Sequence, residues 1–326
     1  MSDRVRIREV CQYLESIAPL SYQESYDNAG LITGEFDETV QGILVTLDCT
    51  EAVVDEAIAS GCNLIVAHHP IVFKGLKRLN GANYVERVVM KALRAHVAIY
   101  AIHTNLDNVH TGVNRKICER LGLKNTRTLQ PRRDTLSKLV TFIPPDKSEE
   151  VLNALYAAGA GNIGNYSDCS FVTRGTGSFT PNQEARPSVG SRGVKEHVEE
   201  VRAEVIFPSH LQDQIMRVLR KAHPYEEVAH YITQVSNDNQ EVGAGMVGDL
   251  AAPMEPMAFL HGLKNSLGAQ VIRATQILEK PVTRVAVCGG SGSFLLKKAI
   301  QSGAQVFVSA DFKYHDFFDA DGQIII

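Results

Sequence analysis

Short apolar runs alternate with longer segments of helical periodicity from Gln41 onward, and this alternation restricts the chain to few folds. Strand, helix, strand, helix and strand are predicted over residues 42–47, 51–60, 63–67, 84–95 and 97–102. Such alternation is typical of an α/β fold with a mostly parallel sheet. The uninterrupted apolar runs 64–67 and 97–102 indicate strands covered by helices on both faces. The pattern returns at 284–288, 293–301 and 305–309. We therefore expect both stretches to share one fold.

A different pattern separates the two stretches. Prolines occur here at Pro131 and Pro144-Pro145, and the Gly/Ser/Thr/Pro-rich stretch 173–193 is predicted to form no regular element. A strand and then a helix are predicted twice, at 138–143 with 148–158 and at 203–207 with 211–222, and a last strand follows at 228–235. This duplication predicts a ferredoxin-like α+β domain inserted over 125–239. Residues 1–124 and 240–326 then form one discontinuous α/β domain.

Charge and composition exclude several classes of partner. The 326 residues carry 33 Lys and Arg against 37 Asp and Glu, a formal net charge of -4, with both signs interspersed. Neither a nucleic-acid footprint nor a basic membrane patch is visible. Six cysteines without a CxxC pair indicate reduced core residues. The charge balance therefore favours small molecules or proteins as partners. Because there is no signal-peptide pattern and no apolar run of about 18 residues, we expect a cytoplasmic protein.

Two adjacent imidazoles, His68 and His69, follow a predicted buried strand in the sequence Ala-His-His-Pro. Ligands of open α/β sheets gather at the carboxyl ends of the strands. Neighbouring side chains of a regular strand point to opposite faces, so both can serve one site only if the chain turns there. Pro70 favours such a turn. The alternative is that one histidine caps the strand while the other is exposed.

The next strand is followed by His103-Thr104-Asn105-Leu106-Asp107-Asn108. If the two strands are neighbours, His68, His69, His103 and Asp107 converge at one edge of the sheet. Imidazoles with a carboxylate suit zinc, manganese or iron. Asp107 has a competing interpretation as a cap of the helix predicted at 111–123. For His103, a structural role, a metal-ligand role and orientation of another ligand all stay open.

Two further segments are expected at the same edge. The turn Gly289-Gly290-Ser291-Gly292 precedes a predicted helix and could present backbone N–H groups to a phosphate or carboxylate, although a tight turn alone explains glycines there. Asp311 to Asp316, which includes His315, follows the strand at 305–309. Ordinary loop polarity is the alternative interpretation for these residues.

The motifs AHHP, HTNLDN, CGGSGS and SADFKYHD, in this order and at these separations, resemble the Nif3-like (NGG1-interacting factor 3-like) family, whose members are often named GTP cyclohydrolase 1 type 2 homolog. The resemblance extends to Asp27-Asn28-Ala29-Gly30-Leu31 and to the segment 222–228, which is similar to the HPYEE segment of longer members. It covers most of the chain.

The resemblance implies a dinuclear centre of divalent ions in a homohexamer, with an inserted domain similar to CutA and PII-like folds. His68 and His69 would each bind a different ion, and Asp107 would bind one of them. The family completes the centre with a His and a Glu after the last strand. This sequence stops at Ile326, within that predicted strand, so we expect the remaining ligands beyond it, or weak metal binding.

Two functions follow as hypotheses. In the first, the protein is a metal-dependent hydrolase of a nucleotide-like small molecule, with His103 and His315 transferring protons and the Gly289–Gly292 turn holding a phosphate. In the second, it is a non-catalytic hexamer that binds a metal or ligand and acts as a regulator or scaffold.

Overall fold

The structure is a computed structural model that describes residues 4–326. Its helices and strands are, in chain order, α1 (Ile7–Ile17), β1 (Gly30–Thr33), β2 (Ile43–Thr46), α2 (Glu51–Ala59), β3 (Leu64–Ala67), α3 (Tyr84–Arg94), β4 (Ala98–Ala101), α4 (Thr104–Asn108), α5 (Val113–Arg120), β5 (Lys124–Arg132), β6 (Leu136–Ile143), α6 (Ser148–Ala157), β7 (Ser170–Phe179), β8 (Glu196–Pro208), α7 (Gln212–Ala222), β9 (His230–Val235), β10 (Asn239–Met254), α8 (Pro256–Leu267), β11 (Val282–Ser291), α9 (Leu296–Gln301) and β12 (Val306–Ala310). Within residues 4–326, no helix is both long enough and apolar enough to cross a bilayer.

Two compact units divide the chain. The main unit consists of the chain up to Gln130 together with Glu241–Ile326, and the inserted unit is Pro131–Gln240. The main unit contains two four-stranded sheets, and the inserted unit contains a third.

The first sheet of the main unit has the strand order β1-β4-β3-β2. Strands β2, β3 and β4 are parallel, and β1 pairs antiparallel with β4. Every residue of β3 and β4 is buried. Leu64 and Val66 pack in a cluster with residues of α1, whereas Ile65 and Ala67 pack with residues of α2 and α3. The predicted cover on both faces is therefore confirmed.

The second sheet has the order β12-β11-β10-β5. Strands β11 and β12 are parallel, and β10 is antiparallel to β11. Ala286 packs on the side of α9, and Val285 packs with residues of α5 and α8. The two stretches with the α/β pattern thus belong to one unit but build separate sheets. Both sheets are mixed, because an antiparallel strand, β1 in the first and β10 in the second, lies beside the parallel strands.

The inserted unit follows the order βαββαβ, from β6 to β9, with an antiparallel sheet in the order β7-β8-β6-β9. Helices α6 and α7 cover one face, where Val151, Leu155, Ile215 and Leu219 pack on the sheet. This is the predicted ferredoxin-like α+β architecture.

Two sequence predictions are wrong in detail. The stretch 173–193 was expected to be irregular throughout, but its first residues lie in β7, which pairs with β8 from Ser170↔Val205 to Phe179↔Glu196. Backbone pairing along an exposed edge requires little from side chains, so glycines are tolerated there. The helix predicted at 111–123 is shorter, since only Val113–Arg120 is helical, and Thr104–Asn108 forms a separate short helix, α4, that was not predicted.

Candidate metal centre

His68 and His69 stand directly after β3, where the chain bends before Pro70. The backbone N–H groups of His68 and His69 still donate to Thr46 and Leu47, at 3.1 and 2.9 Å. The bend brings both imidazoles to one side, with ring centroids 4.9 Å apart. His69 is exposed, as the alternative interpretation expected, but its ring lies beside that of His68 and not apart from it.

His103 joins the same group from the end of β4. Its ring centroid lies 5.2 Å from that of His68 and 5.3 Å from that of His69. One ligand atom from each of the three histidines lies within 4.8 Å of the others. Three imidazoles from two neighbouring parallel strands therefore converge at one edge of the first sheet, a group that could hold a metal ion.

Asp107 reaches this group because Thr104–Asn108 forms the helix α4, of which His103 is the N-cap. In α4 the Asp107 N–H donates to the His103 carbonyl at 3.1 Å, so the two side chains lie one helical turn apart on the same face. Asp107 Oδ1 lies 3.8 Å from His68 Nε2. Asp107 lies inside α4, and the N-cap of the following helix α5 is Gly112, so Asp107 does not cap α5.

Each histidine is oriented through its Nδ1 atom. His68 Nδ1 lies 2.8 Å from the Ile102 carbonyl oxygen, His69 Nδ1 lies 2.8 Å from Asp48 Oδ1, and His103 Nδ1 lies 2.7 Å from Asp27 Oδ1. These oxygens accept hydrogen bonds, so the proton of each neutral ring resides on Nδ1 and Nε2 keeps its lone pair. Metal-binding histidines are held in this way in proteins. The donor set therefore fits a divalent ion of the zinc, manganese or iron type.

The electrostatics of the group match a site that binds a cation. Burial raises the pKa of Asp107 to about 6, because its carboxylate is removed from water. Burial also lowers the pKa of His68, and the neighbouring His103 and His69 add to this effect. A cation between these groups would stabilise the ionised carboxylate and the neutral imidazole together.

Asp27 supports the group, although the sequence predicted no role for it. Its carboxylate accepts hydrogen bonds from His103 Nδ1, from the Thr104 N–H at 3.0 Å and from the Thr104 hydroxyl. Burial opposes its ionisation, but these bonds and one from Asn28 outweigh burial and lower its pKa to about 2. The only sequence signal was its place in the DNAGL motif, because the 76-residue separation from His103 hides the contact.

A cavity of about 250 Å³ contains the three histidines and Asp107 and lies within the main unit. Its other wall comes from the second sheet, through Cys288, Gly289, Gly290, Ser291 and Asp311. The carboxyl ends of β3, β4, β11 and β12 thus surround one space. Burial raises the pKa of the Cys288 thiol to about 12, so this wall adds no thiolate near neutral pH.

Three residues of the glycine turn, Gly289, Gly290 and Ser291, line the cavity. Gly289 donates its N–H to Asn114 Oδ1 at 2.8 Å, and Asn114 Nδ2 donates to the Asp107 carbonyl at 2.9 Å. Asn114 therefore ties the turn to α4, a role that no motif of the sequence indicates. A Cβ atom at Gly292 would lie 2.5 Å from Ser309 Oγ, so this glycine permits close packing, and it is not among the lining residues.

His315 lies elsewhere. It is exposed near the start of the 3₁₀ helix Tyr314–Ala320, against the Tyr314 ring, and it does not line the cavity that holds the other three histidines.

Comparison with known proteins places the chain among relatives along its whole length. The model of the family Duf34/NIF3 (NGG1p interacting factor 3) matches residues 5–326. The GTP cyclohydrolase 1 type 2 homolog of Bacillus subtilis (strain 168) is 38% identical over 321 residues, which cover 98% of this chain and 86% of that protein. The protein of the same name from Staphylococcus epidermidis (strain ATCC 35984) is 35% identical over 316 residues, 97% of this chain and 86% of that protein.

Solved structures are similar to this chain along its whole length as well. A Bacillus cereus protein related to NIF3 superposes with a TM-score of 0.89 at 38% identity, covering 100% of this chain and 88% of that chain. The Staphylococcus aureus protein SA1388 gives a TM-score of 0.75 at 30% identity, covering 100% of this chain and 87% of that chain.

Proposed function

The chain belongs to the Duf34/NIF3 family, and from that premise we propose that it is a metal-dependent hydrolase of a nucleotide-like small molecule. One observation carries the proposal. Three imidazoles converge within 4.8 Å, and each is anchored at Nδ1 so that Nε2 is left as the donor nitrogen. Such anchoring orients a ring for coordination or for proton transfer.

His68, His69 and Asp107 would hold two divalent ions in this proposal. When bound, such ions supply Lewis acidity, which polarises a substrate oxygen and lowers the pKa of a water molecule. The side chains of His68 and Asp107 are each only about one-fifth exposed, so the Asp107 carboxylate and a bound cation would interact with little screening by water. Metal identity stays open among zinc, manganese and iron.

His103 is the residue to which we assign proton transfer. Its Nδ1 atom contacts Asp27, which leaves Nε2 available, and the residue belongs to the convergent group. The Asp27 side chain is fully buried and holds a negative charge, which compensates the positive charge of the ring when Nε2 takes up a proton. The same geometry would let His103 act as a third imidazole ligand, and metal analysis of His103→Ala separates the roles, since a proton carrier can be lost with metal retained.

The size of the cavity limits which part of the substrate enters. A volume of about 250 Å³ is below the range of roughly 300–1,000 Å³ that encloses a drug-sized ligand. A cavity of this size would enclose the reacting portion of a nucleotide, between the histidines and the turn at Gly290 and Ser291, and leave the remainder outside. The N–H of Gly289 is already donated to Asn114, so phosphate recognition by this turn depends on its remaining groups.

A second candidate function is a non-catalytic, metal- or ligand-binding homohexamer with a regulatory or scaffold role. The position of His315 favours this alternative. The sequence predicts two proton carriers, His103 and His315, but His315 is exposed and does not line the cavity, so His103 would have to act without it. Light scattering of the purified protein tests the hexamer, and a monomer at all working concentrations contradicts it.

The test of the hydrolase uses the full chain loaded separately with Zn²⁺, Mn²⁺ or Fe²⁺. GTP and the other nucleoside triphosphates are incubated with each form, and the products are separated by liquid chromatography. We expect turnover that falls about 100-fold or more in His68→Ala. His261→Ala, which removes an exposed imidazole from α8, is the matched control and should keep the activity. Absence of turnover with every ion, despite bound metal, overturns the hydrolase in favour of binding alone.

A further inference from the structure

The inserted unit contains a cavity of its own, of about 600 Å³. Phe142 of β6 and Glu200 of β8 line it, whereas the adjacent Ile143 and Val201 are buried. Because strand side chains alternate between faces, and Ile143 packs with α6 and α7, the cavity lies on the sheet face that these helices do not cover. Its volume is within the usual range for sites that enclose small molecules.

The glycine- and proline-rich segment that follows β7 forms the opposite wall. Three hydrogen bonds hold it in place: Gly193 N–H to the Pro181 carbonyl at 2.7 Å, Arg192 Nε to the Ala185 carbonyl at 2.8 Å, and Arg186 N–H to Glu226 Oε2 at 2.8 Å. The last bond ties the segment to the motif His-Pro-Tyr-Glu-Glu. Two sequence features that the metal centre does not use therefore build one site.

His223 of that motif is a structural anchor. It is buried, its Nδ1 accepts the Tyr225 N–H at 3.1 Å, and its Nε2 lies 2.9 Å from the Phe142 carbonyl, to which it must donate. Both ring nitrogens are thereby satisfied, and the His223 and Tyr225 rings are 5.0 Å apart. This arrangement fixes the Tyr225 ring at the wall of the cavity.

Aromatic rings dominate the apolar part of the wall. Phe142 and Tyr231 meet edge to face with centroids 5.9 Å apart, and Phe179 and Tyr225 complete the set. Ring faces carry partial negative charge and attract ammonium and guanidinium groups.

The charged residues at the cavity also favour a cationic ligand. Four carboxylates, those of Glu184, Glu200, Glu226 and Glu227, face it against the single guanidinium of Arg186. Glu200 accepts a hydrogen bond from the Tyr225 hydroxyl, and burial raises its pKa while this bond opposes the shift. A half-buried carboxylate of this kind gains most from a cationic partner.

Gly177 makes the position of Glu200 possible. A Cβ atom at residue 177 would lie 2.2 Å from Glu200 Oε2, so any larger residue would displace the carboxylate.

We propose that the inserted unit binds a small organic amine with an aromatic body, which places its rings against Phe142, Tyr225 and Tyr231 and its ammonium group at Glu200. This second site needs no metal and is independent of the hydrolase proposal. The inserted unit would then have a ligand of its own, an aromatic amine.

Tryptamine is the probe, because the chain contains no Trp and indole fluorescence then reports the probe alone. Fluorescence anisotropy of tryptamine is titrated with the full chain at neutral pH, alongside its neutral analogue tryptophol and the anion indole-3-acetate. We expect tryptamine to bind about 10-fold more tightly than tryptophol, and indole-3-acetate to bind weakest. Equal affinity for all three, or no binding of tryptamine, overturns the proposal.

Two isosteric variants locate the site. In Glu200→Gln, we expect tryptamine affinity to fall about 10-fold while tryptophol affinity is unchanged. Glu199→Gln changes the net charge equally at the neighbouring, exposed position of β8, whose side chain points to the other face, and should change neither affinity. Equal losses in both variants, or none in Glu200→Gln, overturn the assignment. Circular dichroism and thermal melting of both variants establish that the fold is retained.

Discussion

His68, His69 and His103 occupy different backbone positions, yet each gives its Nδ1–H to an oxygen. The three oxygens differ in kind: a backbone carbonyl for His68, the exposed carboxylate of Asp48 for His69 and the buried carboxylate of Asp27 for His103. The side chain of Asp48 is 62% exposed and that of Asp27 is 0% exposed. Because water screens an exposed charge, Asp27 should contribute more to the site than Asp48.

We expect Asp27→Asn to weaken divalent-metal affinity about 10- to 100-fold, since the amide removes the charge and cannot accept all the hydrogen bonds of the carboxylate. Competition with a chromophoric chelator measures the affinity. Asp48→Asn is the matched control and should weaken affinity less. The reverse ranking would contradict the importance given to the buried carboxylate. Since Asp27→Asn also leaves buried donors unsatisfied, circular dichroism must establish that each variant is folded.

At the scale of elements, the site depends on the position of α4. This helix of five residues carries Asp107 and is too short to be stable alone. Asn114 of α5 donates to the Asp107 carbonyl, and the buried Asn105 and Asn108 side chains donate to the Ala18 and Tyr22 carbonyls. Tertiary hydrogen bonds therefore hold the helix in place.

Gly112 permits the close approach of α4 to the start of α5. A Cβ atom there would lie 1.8 Å from the Leu106 carbonyl oxygen. We expect Gly112→Ala to displace α4, to lower the free energy of unfolding by about 1–3 kcal/mol, and to weaken metal binding as well. Urea denaturation and chelator competition measure the two effects.

Gly262→Ala is the control for this change. Gly262 lies within α8 with no atom in the way of a Cβ, so alanine should stabilise the protein by about 0.5–1 kcal/mol and leave metal affinity unchanged. Unchanged stability and metal affinity in Gly112→Ala would show that the approach of α4 to α5 does not require glycine at this position.

At the scale of the whole molecule, the two proposed sites lie in different units. The proposed metal ligands lie in the main unit, and the aromatic cavity lies in the inserted unit. The chain leaves and re-enters the main unit at neighbouring points, because β5 and β10 are adjacent in the sheet. A Cβ at Gly243 would lie 2.1 Å from the Gln130 carbonyl oxygen, which shows how close the two strands are.

Replacement of Pro131–Gln240 by a short Gly/Ser linker should therefore leave metal affinity within about 3-fold of that of the full chain, since closing a short gap costs little entropy. Tryptamine binding should be lost at the same time. Elemental analysis and the two titrations measure these outcomes. A deletion variant that is folded by circular dichroism but no longer binds metal would show that the inserted unit helps to form the metal centre.

Local periodicity was sufficient to determine much of the fold. The continuous apolar runs of β3 and β4 can be buried only under helices on both faces, and the repeated strand–helix order of the inserted unit leads to a ferredoxin-like sheet. Motif order was likewise sufficient for the family, and the strand order along the chain was sufficient to group the residues that follow β3 and β4.

Contacts between distant residues could be decided only by the tertiary structure. Periodicity describes one segment at a time, so it could not reveal that Asp27 anchors His103, that Asn114 ties Gly289 to α4, or that His315 lies away from the cavity. It also missed β7, because a strand at an exposed edge is held by backbone pairing with β8 and not by its own side chains. Side-chain pattern determines which faces are buried, whereas the position of each functional group depends on how separate elements pack.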